Sequence, residues 1–370
     1  MKLFSFILPF FLILWYNQIH KVRYILSHIA YNTRLYLPNK RGSFKSKVKI
    51  TDIAERSGVS MTTVSRYFNH PELISQTTQD KIKTAIKELN YQQDNLARIL
   101  VTGESNLVGV IFPHLHLSFY TELLNQLIKY GKEKGYNLIV YTSNDSREEE
   151  LQLIQNLISY RIKGLILLSH LLSAQDIENL PVPVISIERV GGNFKQINND
   201  NFTGGKLAAN LLIRNNCEVF IHINNDFRED WPSFKRILGF EYEVKDLCYE
   251  RFIENDLTDP YLPKATEAMN KLVQHITTKY TGKKIGVFCS NDDIASLFER
   301  QCLKNNIDIP NTIELIGYDN SPASNYAVHP ITSIDQNISL MAQIAIQSLE
   351  NYIPYESMVP ASLIEKETTC

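Results

Sequence analysis

The strongest constraint on the fold of this chain is the alternation of short apolar runs with helical stretches from residue 107 onward. Runs such as LVGVIFP are typical of buried strands, and an amphipathic helix from Phe119 to Lys134 follows the first of them. Strand and helix in alternation predict parallel sheets covered on both faces. The runs form two sets, at residues 107–113, 136–143, 164–169 and 182–188, and then at 217–223, 284–290 and 313–319. They predict two doubly wound lobes with a cleft between them, where the carboxyl ends of the strands open.

Charge is distributed unevenly along the 370 residues. Residues 1–47 contain eight Lys and Arg and no acid, residues 48–105 contain seven groups of each sign, and residues 106–370 contain 23 basic and 33 acidic groups. An acidic body excludes general attraction to nucleic acid, so a DNA contact must come from a small, defined surface. The cysteines form no CxxC pair, which argues against a zinc site or a disulfide framework and fits a reducing cytosol: Cys217, Cys248, Cys289, Cys302 and Cys370.

The amino terminus carries an apolar segment from Leu3 to Tyr16. Fourteen residues are too few for a membrane-spanning helix, which needs about 20, and Pro9 interrupts them. The residues after the segment contain no small-residue cleavage motif of the kind that follows a signal peptide. Residues 1–47 are therefore interpreted as an extension that is disordered or belongs to a mis-assigned start, with a membrane anchor as the alternative.

Residues 50–69 have the pattern of two short helices joined at a glycine. Gly58 suits the left-handed end of the first helix, and Ser60 is a good N-cap for the second. The second helix puts Val64 on one face and short polar groups with one arginine on the other. Hydroxyls suit phosphate oxygens and a guanidinium suits a guanine edge, which predicts a DNA-reading helix. Its candidate contacts are Met61, Thr62, Thr63, Ser65, Arg66 and Asn69.

A third helix, from an N-cap at Ser75 to about Asn90, completes a small core. The whole stretch from Ile50 to Leu100 resembles the amino-terminal domain of the lactose-repressor (LacI/GalR) family of bacterial transcription regulators. The residues that carry the resemblance are Asp52-Ile53-Ala54, Gly58-Val59-Ser60, Thr63-Val64-Ser65-Arg66, Asn69, Leu89-Asn90-Tyr91, Ala97-Arg98 and Leu100. The resemblance implies that Tyr91, Ala97 and Leu100 also contact DNA, with Leu100 wedged into the minor groove.

The resemblance extends to about Thr369 and implies a periplasmic-binding-protein-like clamp with three crossovers and a small effector in its cleft. The family places effector contacts at the positions of Glu188, Arg236, Asn291, Asp319 and Gln336, and Phe119 and Tyr120 could supply an apolar face. Carboxylates, amides and a guanidinium suit the hydroxyl pairs of a polyol. Helix capping by Asn291 or Asp319 and a surface ion pair at Arg236 remain the alternatives. Several positions depart from the family pattern. Gln93-Asp94 stand where Pro-Asn is usual and Glu188 where Asp is usual, while His114 replaces the acid that many members have and Ser118 a common proline.

Enzyme motifs are missing from the sequence: it contains no GxSxG, GxxxxGK[ST] or HExxH, and no GxGxxG after a strand. His114 and His116 have no third ligand at a useful spacing, so neither a metal nor a cofactor is expected. The adjacent acids Asp292 and Asp293 should point in different directions at the start of a helix.

The sequence thus predicts an all-α helix-turn-helix head and an α/β clamp of two parallel-sheet lobes. The predicted domains are the extension 1–47, the helix-turn-helix 48–91, a hinge 92–105, and an effector-binding and dimerisation domain 106–370. The lobes cover about 106–200 with a C-terminal return, and about 201–335. The predicted function is a cytoplasmic repressor of a carbohydrate-use operon that binds palindromic double-stranded operator DNA as a homodimer and responds to a sugar or sugar phosphate. An exported solute-binding protein and a membrane-tethered regulator are the alternatives.

Overall fold

A computed structural model describes residues 48–91, 105–143, 146–225 and 228–370 of the chain. They belong to two compact units, the head (residues 48–91) and the clamp (from residue 105 onward), and each unit is described by itself. The predicted extension at 1–47 lies outside the described residues, and so does the predicted hinge except for residue 105. In the part of the chain that is described, no helix is long and apolar enough to cross a membrane.

The head consists of three helices around a core of five buried side chains. The helices are α1 (Ile50–Ser57), α2 (Met61–Asn69) and α3 (Gln76–Glu88), and the buried residues are Ile53, Ala54, Val64, Ile82 and Ala85. Gly58 ends α1 with φ +66°, a conformation that glycine adopts without a side-chain clash. The Ser60 hydroxyl accepts a hydrogen bond from the Thr63 amide at 3.1 Å and so caps α2. The two cap positions that the sequence predicts for this turn are therefore confirmed.

The clamp contains two six-stranded sheets. The sheet of lobe 1 is parallel throughout, in the order β11-β5-β4-β3-β1-β2. Its strands are β1 (Leu107–Phe112), β2 (Asn137–Thr142), β3 (Gly164–Leu167), β4 (Val184–Ile187), β5 (Lys195–Asn199) and β11 (Glu356–Val359). In register, Val110 of β1 lies between Val140 of β2 and Ile166 of β3. The sheet of lobe 2 has the order β12-β10-β9-β8-β6-β7, and only its edge strand β12 is antiparallel. Its strands are β6 (Val219–Asn224), β7 (Tyr249–Ile253), β8 (Ile285–Cys289), β9 (Ile313–Asp319), β10 (Thr332–Asp335) and β12 (Ser362–Ile364).

Helices cover both faces of each sheet, which explains why the central strands are continuously apolar. Lobe 1 has α4 (Ser118–Glu133), α5 (Arg147–Ser159), α6 (Ala174–Glu178) and α12 (Ile338–Ser348). Lobe 2 has α7 (Asn201–Arg214), α8 (Phe234–Val244), α9 (Pro263–Lys279), α10 (Asp292–Lys304) and α11 (Pro322–Asn325). Each face of each sheet has its own cluster of buried apolar side chains. This arrangement confirms the predicted class of two doubly wound lobes.

The chain passes between the lobes three times. The crossovers are Asp200 between β5 and α7, residues 336–337 between β10 and α12, and residues 360–361 between β11 and β12. The chain then ends in lobe 2, where the Thr368 hydroxyl donates to the Leu315 carbonyl oxygen at 2.6 Å. Three crossovers agree with the architecture that the family resemblance implies. They also bring the carboxyl ends of β4 and β9 to the same cleft.

Candidate functional site

The predicted DNA-reading residues are on α2 and at the end of the head. Met61 is 55% exposed, and Thr62, Ser65 and Arg66 are exposed as well. Thr63 is half-buried, and its hydroxyl lies 2.8 Å from the Ser60 hydroxyl. Asn69 is the last residue of α2. Met61, Thr62, Ser65 and Arg66 therefore form an exposed surface on α2, opposite the buried Val64.

Tyr91 is placed differently from the other candidates. Its ring lies 5.9 Å from that of Phe68 and packs against the core of the head. Ala97 and Leu100 lie outside the described residues, so their predicted roles stay predictions.

In the clamp, a cavity of about 380 Å³ opens between the lobes. All seven residues that the sequence proposes for the effector line it: Phe119, Tyr120, Glu188, Arg236, Asn291, Asp319 and Gln336. They come from the start of α4 and the end of β4 in lobe 1, from α8, α10 and β9 in lobe 2, and from the second crossover. Such a volume is in the usual range for a small-molecule site.

Arg236 lies at the centre of the polar wall of this cavity and is only 7% exposed. Its Nε donates to Asn201 Oδ1 at 2.6 Å, and its Nη1 donates to the Ser290 carbonyl oxygen at 2.8 Å. The guanidinium also lies over the ring of Tyr318, 3.7 Å from the ring centroid. The alternative of a surface ion pair is therefore wrong for Arg236, because all of these contacts are buried.

Close packing of two helices fixes the position of this arginine. A Cβ atom on Gly239 of α8 would overlap the carbonyl oxygen of Phe202, and one on Gly205 of α7 would overlap that of Arg236. The two backbones can approach this closely only because both positions are glycine. Phe240 then fills the core below, with no exposed surface. The sequence Arg236-x-x-Gly239-Phe240 thus places one side chain toward the cavity and one in the core.

Glu188 and Asp319 lie on either side of the Arg236 guanidinium. The shortest distances from the guanidinium nitrogens are 4.0 Å to Glu188 Oε2 and 3.8 Å to Asp319 Oδ1. Burial raises the pKa of both carboxyl groups, and the positive charge of Arg236 opposes that rise. Both residues also have positive φ, at 54° for Glu188 and 109° for Asp319. Strained backbone of this kind is common where side chains are held for a ligand.

The remaining contacts of the two acids orient them. Glu188 accepts from the Asn199 amide at 2.6 Å and from Asn201 Nδ2 at 2.9 Å. Asp319 Oδ1 accepts a hydrogen bond from Gln336 Nε2, a residue of the second crossover. Asp319 is therefore not a helix cap, since the helix after it has Ser321 at its N-cap. The cavity wall is thus tied to two of the three crossovers.

Asn291 both caps a helix and lines the cavity. Its Oδ1 accepts from the Ile294 amide at 2.9 Å and caps α10, as the alternative reading of this residue has it. It also lines the cavity, where its amide nitrogen is the group that can donate to a ligand.

The sequence reasoning missed an aromatic part of the cavity. His170, in the loop after β3, stacks on Trp231, in the segment before α8, with ring centroids 4.6 Å apart. Arg189 supports that loop by donating to the carbonyl oxygens of Ser169 and Leu172. Burial lowers the pKa of His170 to about 4, and the nearby Arg189 adds to this effect. His170 directly follows the apolar run at residues 164–169, and this position at the end of a strand is the signal that could have found it. Trp231 follows no apolar run, so only a tryptophan in a polar segment could have been a signal.

Among the described residues, no group of three or more His, Cys, Asp or Glu side chains is placed to hold a metal ion. His114 and His116 stack on each other, with centroids 3.7 Å apart.

Comparison with known proteins gives the family. Residues 49–94 match the model "Bacterial regulatory proteins, lacI family", and residues 209–369 match the model "Periplasmic binding protein-like domain". The sucrose operon repressor of Streptococcus mutans is 31% identical over 86% of this chain and 99% of its own length. The chain belongs to the LacI family. It is a DNA-binding transcriptional regulator with an effector domain, and the resemblance stated from its motifs is confirmed.

Solved structures agree with this LacI-family fold. A lac repressor dimer bound to operator has a TM-score of 0.72 at 21% identity, over 87% of this chain and 98% of that one. A periplasmic binding protein/LacI regulator from Alkaliphilus metalliredigens in complex with D-xylulofuranose has a TM-score of 0.60 at 25% identity, over 72% of this chain and 100% of that one. The family is one of transcriptional repressors rather than enzymes.

Proposed function

We propose that this LacI-family regulator represses a carbohydrate-use operon and that a neutral sugar in the clamp cavity controls its binding to operator DNA. The observation that carries the proposal is the buried group of Glu188, Arg236 and Asp319 on one wall of the cavity. Two carboxyl groups flank one guanidinium, so the wall offers both acceptors and donors to neighbouring hydroxyls. The protein acts in the cytoplasm, is not an enzyme, and uses no metal or cofactor.

The charge of the cavity favours a neutral sugar over a sugar phosphate. A phosphate needs guanidinium or ammonium donors that are not already engaged, and the Arg236 guanidinium already faces two carboxyl groups, at 4.0 Å and 3.8 Å. Arg228, the other cavity-lining arginine, is 51% exposed and pairs with Asp230 at 3.2 Å. A phosphate in the depth of the cavity would therefore face Glu188 and Asp319.

The opposite, largely apolar wall suits the carbon face of a sugar ring. Phe119 and Tyr120 line this wall at the start of α4, and Trp231 lines the cavity from lobe 2. The relatives support the same class of ligand, since one is a sucrose operon repressor and another regulator was solved with D-xylulofuranose.

The DNA-binding part of the proposal rests on the head. Met61, Thr62, Ser65 and Arg66 present their side chains at the exposed surface of α2. Thr63, in the first turn of α2, and Asn69, its last residue, are proposed as further contacts. A homodimer presents two such faces and therefore suits a palindromic operator. Tyr91, Ala97 and Leu100 are proposed as further DNA contacts.

Direct binding tests the sugar site. Titration calorimetry with sucrose, D-ribose and D-xylulose, and with glucose 6-phosphate for comparison, should show binding of a neutral sugar. Asp319→Asn keeps the side-chain shape and should weaken that binding at least tenfold, because it replaces one of the two carboxyl oxygens beside Arg236 and Gln336 with an NH₂ group that cannot accept from a hydroxyl. Asp308→Asn is the matched control, since Asp308 is exposed and contacts Asn311 away from the cavity. Binding of only the phosphorylated sugar, or an equal loss in both variants, would contradict the proposal.

A further inference from the structure

Asp293 is a buried carboxylate that bonds with both lobes of the clamp. It is the second residue of α10 in lobe 2 and is 3% exposed. Its Oδ2 accepts from the Ser118 amide at 2.9 Å, and its Oδ1 accepts from the Ser118 hydroxyl at 2.7 Å. Ser118 is the first residue of α4 in lobe 1. Two hydrogen bonds therefore cross the cleft to one carboxylate.

The position of Asp293 makes these two bonds strong. The carboxylate lies at the amino-terminal ends of two helices, α4 and α10, where the helix dipoles favour a negative charge. Hydrogen bonds to an ionised acceptor are also stronger than neutral ones. Within lobe 2, the Tyr261 hydroxyl donates to Asp293 Oδ1 at 2.6 Å and holds the carboxylate in place.

The residues next to this contact line the effector cavity on both sides. Phe119 and Tyr120 follow Ser118, and Asn291 is two residues before Asp293. The neighbouring Asp292 points into lobe 2, where it accepts from Ser321 and Ser333. The turn that carries Asp293 is thus anchored in lobe 2 while Asp293 itself reaches lobe 1.

We propose that Asp293 is an inter-lobe latch, which holds the lobes closed over the effector cavity by binding both donors of Ser118. The latch supplies part of the free energy of closure in the absence of a ligand. An effector that binds only the closed clamp then binds more tightly, because a larger fraction of the protein is already competent. Control of the cavity by this latch rests on the proposed function, whereas the latch itself does not need an effector.

Hydrogen exchange at the Ser118 amide tests the latch in the full-length protein without any sugar. The first amides of a helix have no acceptor within it, so protection of this amide reports on Asp293. Asp293→Ala removes both acceptor oxygens, so exchange at the Ser118 amide should become at least tenfold faster. Thr121→Val is the matched control, because Thr121 donates to the Ser118 carbonyl oxygen within α4 and should leave the exchange unchanged.

A second variant separates the latch from local structure in lobe 2. Tyr261→Phe removes a donor to Oδ1 but leaves Oδ2 for the Ser118 amide, which should stay protected. Unchanged exchange in Asp293→Ala would overturn the proposal, and so would equal loss of protection in Asp293→Ala and Tyr261→Phe. Failure of the proposed function would be recognised separately, as a protected Ser118 amide in a protein that binds no sugar.

Discussion

Arg66 and Arg236 are both arginines, but one lies at the surface and the other is buried. Arg66 is exposed on α2, whereas Arg236 is 7% exposed with a carboxylate on either side. An exposed guanidinium keeps its donors for a partner that arrives from solution, such as a guanine edge. A buried and balanced guanidinium instead orders the groups around a ligand. The sequence pattern pointed to both residues, but only the structure shows this difference in burial.

Replacing Arg66 tests whether this side chain contributes to the specificity of operator binding. Arg66→Ala should weaken specific operator binding by about 1–3 kcal/mol and relax the preference at one operator position. Competition binding against operator variants measures both effects. Arg56→Ala is the control. Arg56 carries the same charge as Arg66, but it lies on α1 and pairs with Glu88 of α3 at 2.6 Å. An equal loss on operator and scrambled DNA would make Arg66 a phosphate contact only.

At the scale of elements, the apolar strands could be predicted and the polar ones could not. β1, β8 and β9 have the continuous apolar sequences of strands buried on both faces. β5 reads KQINN, yet all five of its residues are buried. Its polar side chains have partners far along the chain, for example Lys195 Nζ with the Ser357 hydroxyl at 2.7 Å. Such a strand depends on tertiary contacts that no local pattern reveals.

Some residues of the cavity could also be predicted from the sequence, and others could not. Glu188, Asn291 and Asp319 directly follow apolar strands, so their arrival at one cleft follows from the topology of parallel sheets. His170 also follows an apolar strand, but its partner Trp231 lies in a segment without a period. Their meeting depends on how the two lobes face each other.

A buried histidine in β6, His222, contributes to the pH dependence of the free energy of unfolding. His222 has no exposed surface, and it lies against Phe240 of α8 and Phe288 of β8. Burial lowers its pKa to about 3, against about 6.5 in the unfolded chain. The unfolded state therefore binds this proton first, and stability falls as the pH drops from about 6.5 toward 3.

His222→Phe should remove this pH dependence. Below pH 6.5, one proton taken up on unfolding costs about 1.4 kcal/mol of stability per pH unit, and the variant should lose that slope. Urea unfolding of both proteins at several pH values from 7.5 to about 4.5 measures it. Phe240→Leu is the comparison, since it should lower stability by about 0.5–3 kcal/mol at every pH without changing the slope. Parallel curves for wild type and His222→Phe would contradict this account.

At the scale of the whole molecule, the clamp connects one cavity to two of its three crossovers. Gln336 of the second crossover bonds to Asp319, and Asn199, next to the first, donates to the Gln336 carbonyl oxygen at 3.3 Å. A ligand that changes the distance between the lobes must therefore change the geometry at the crossovers. Such coupling is reciprocal: if the effector changes the affinity of the protein for operator DNA, the operator must change its affinity for the effector by the same factor.

Operator affinity with and without sugar tests the central claim most directly. The full-length protein is titrated onto operator DNA alone and with a neutral sugar that calorimetry has shown to bind. We predict that the sugar changes the operator Kd at least tenfold in wild type. In Asp319→Asn, the sugar-free Kd should stay within about twofold of wild type and the response to the sugar should be lost. An unchanged operator Kd at saturating sugar, or a full response in Asp319→Asn, would contradict the account.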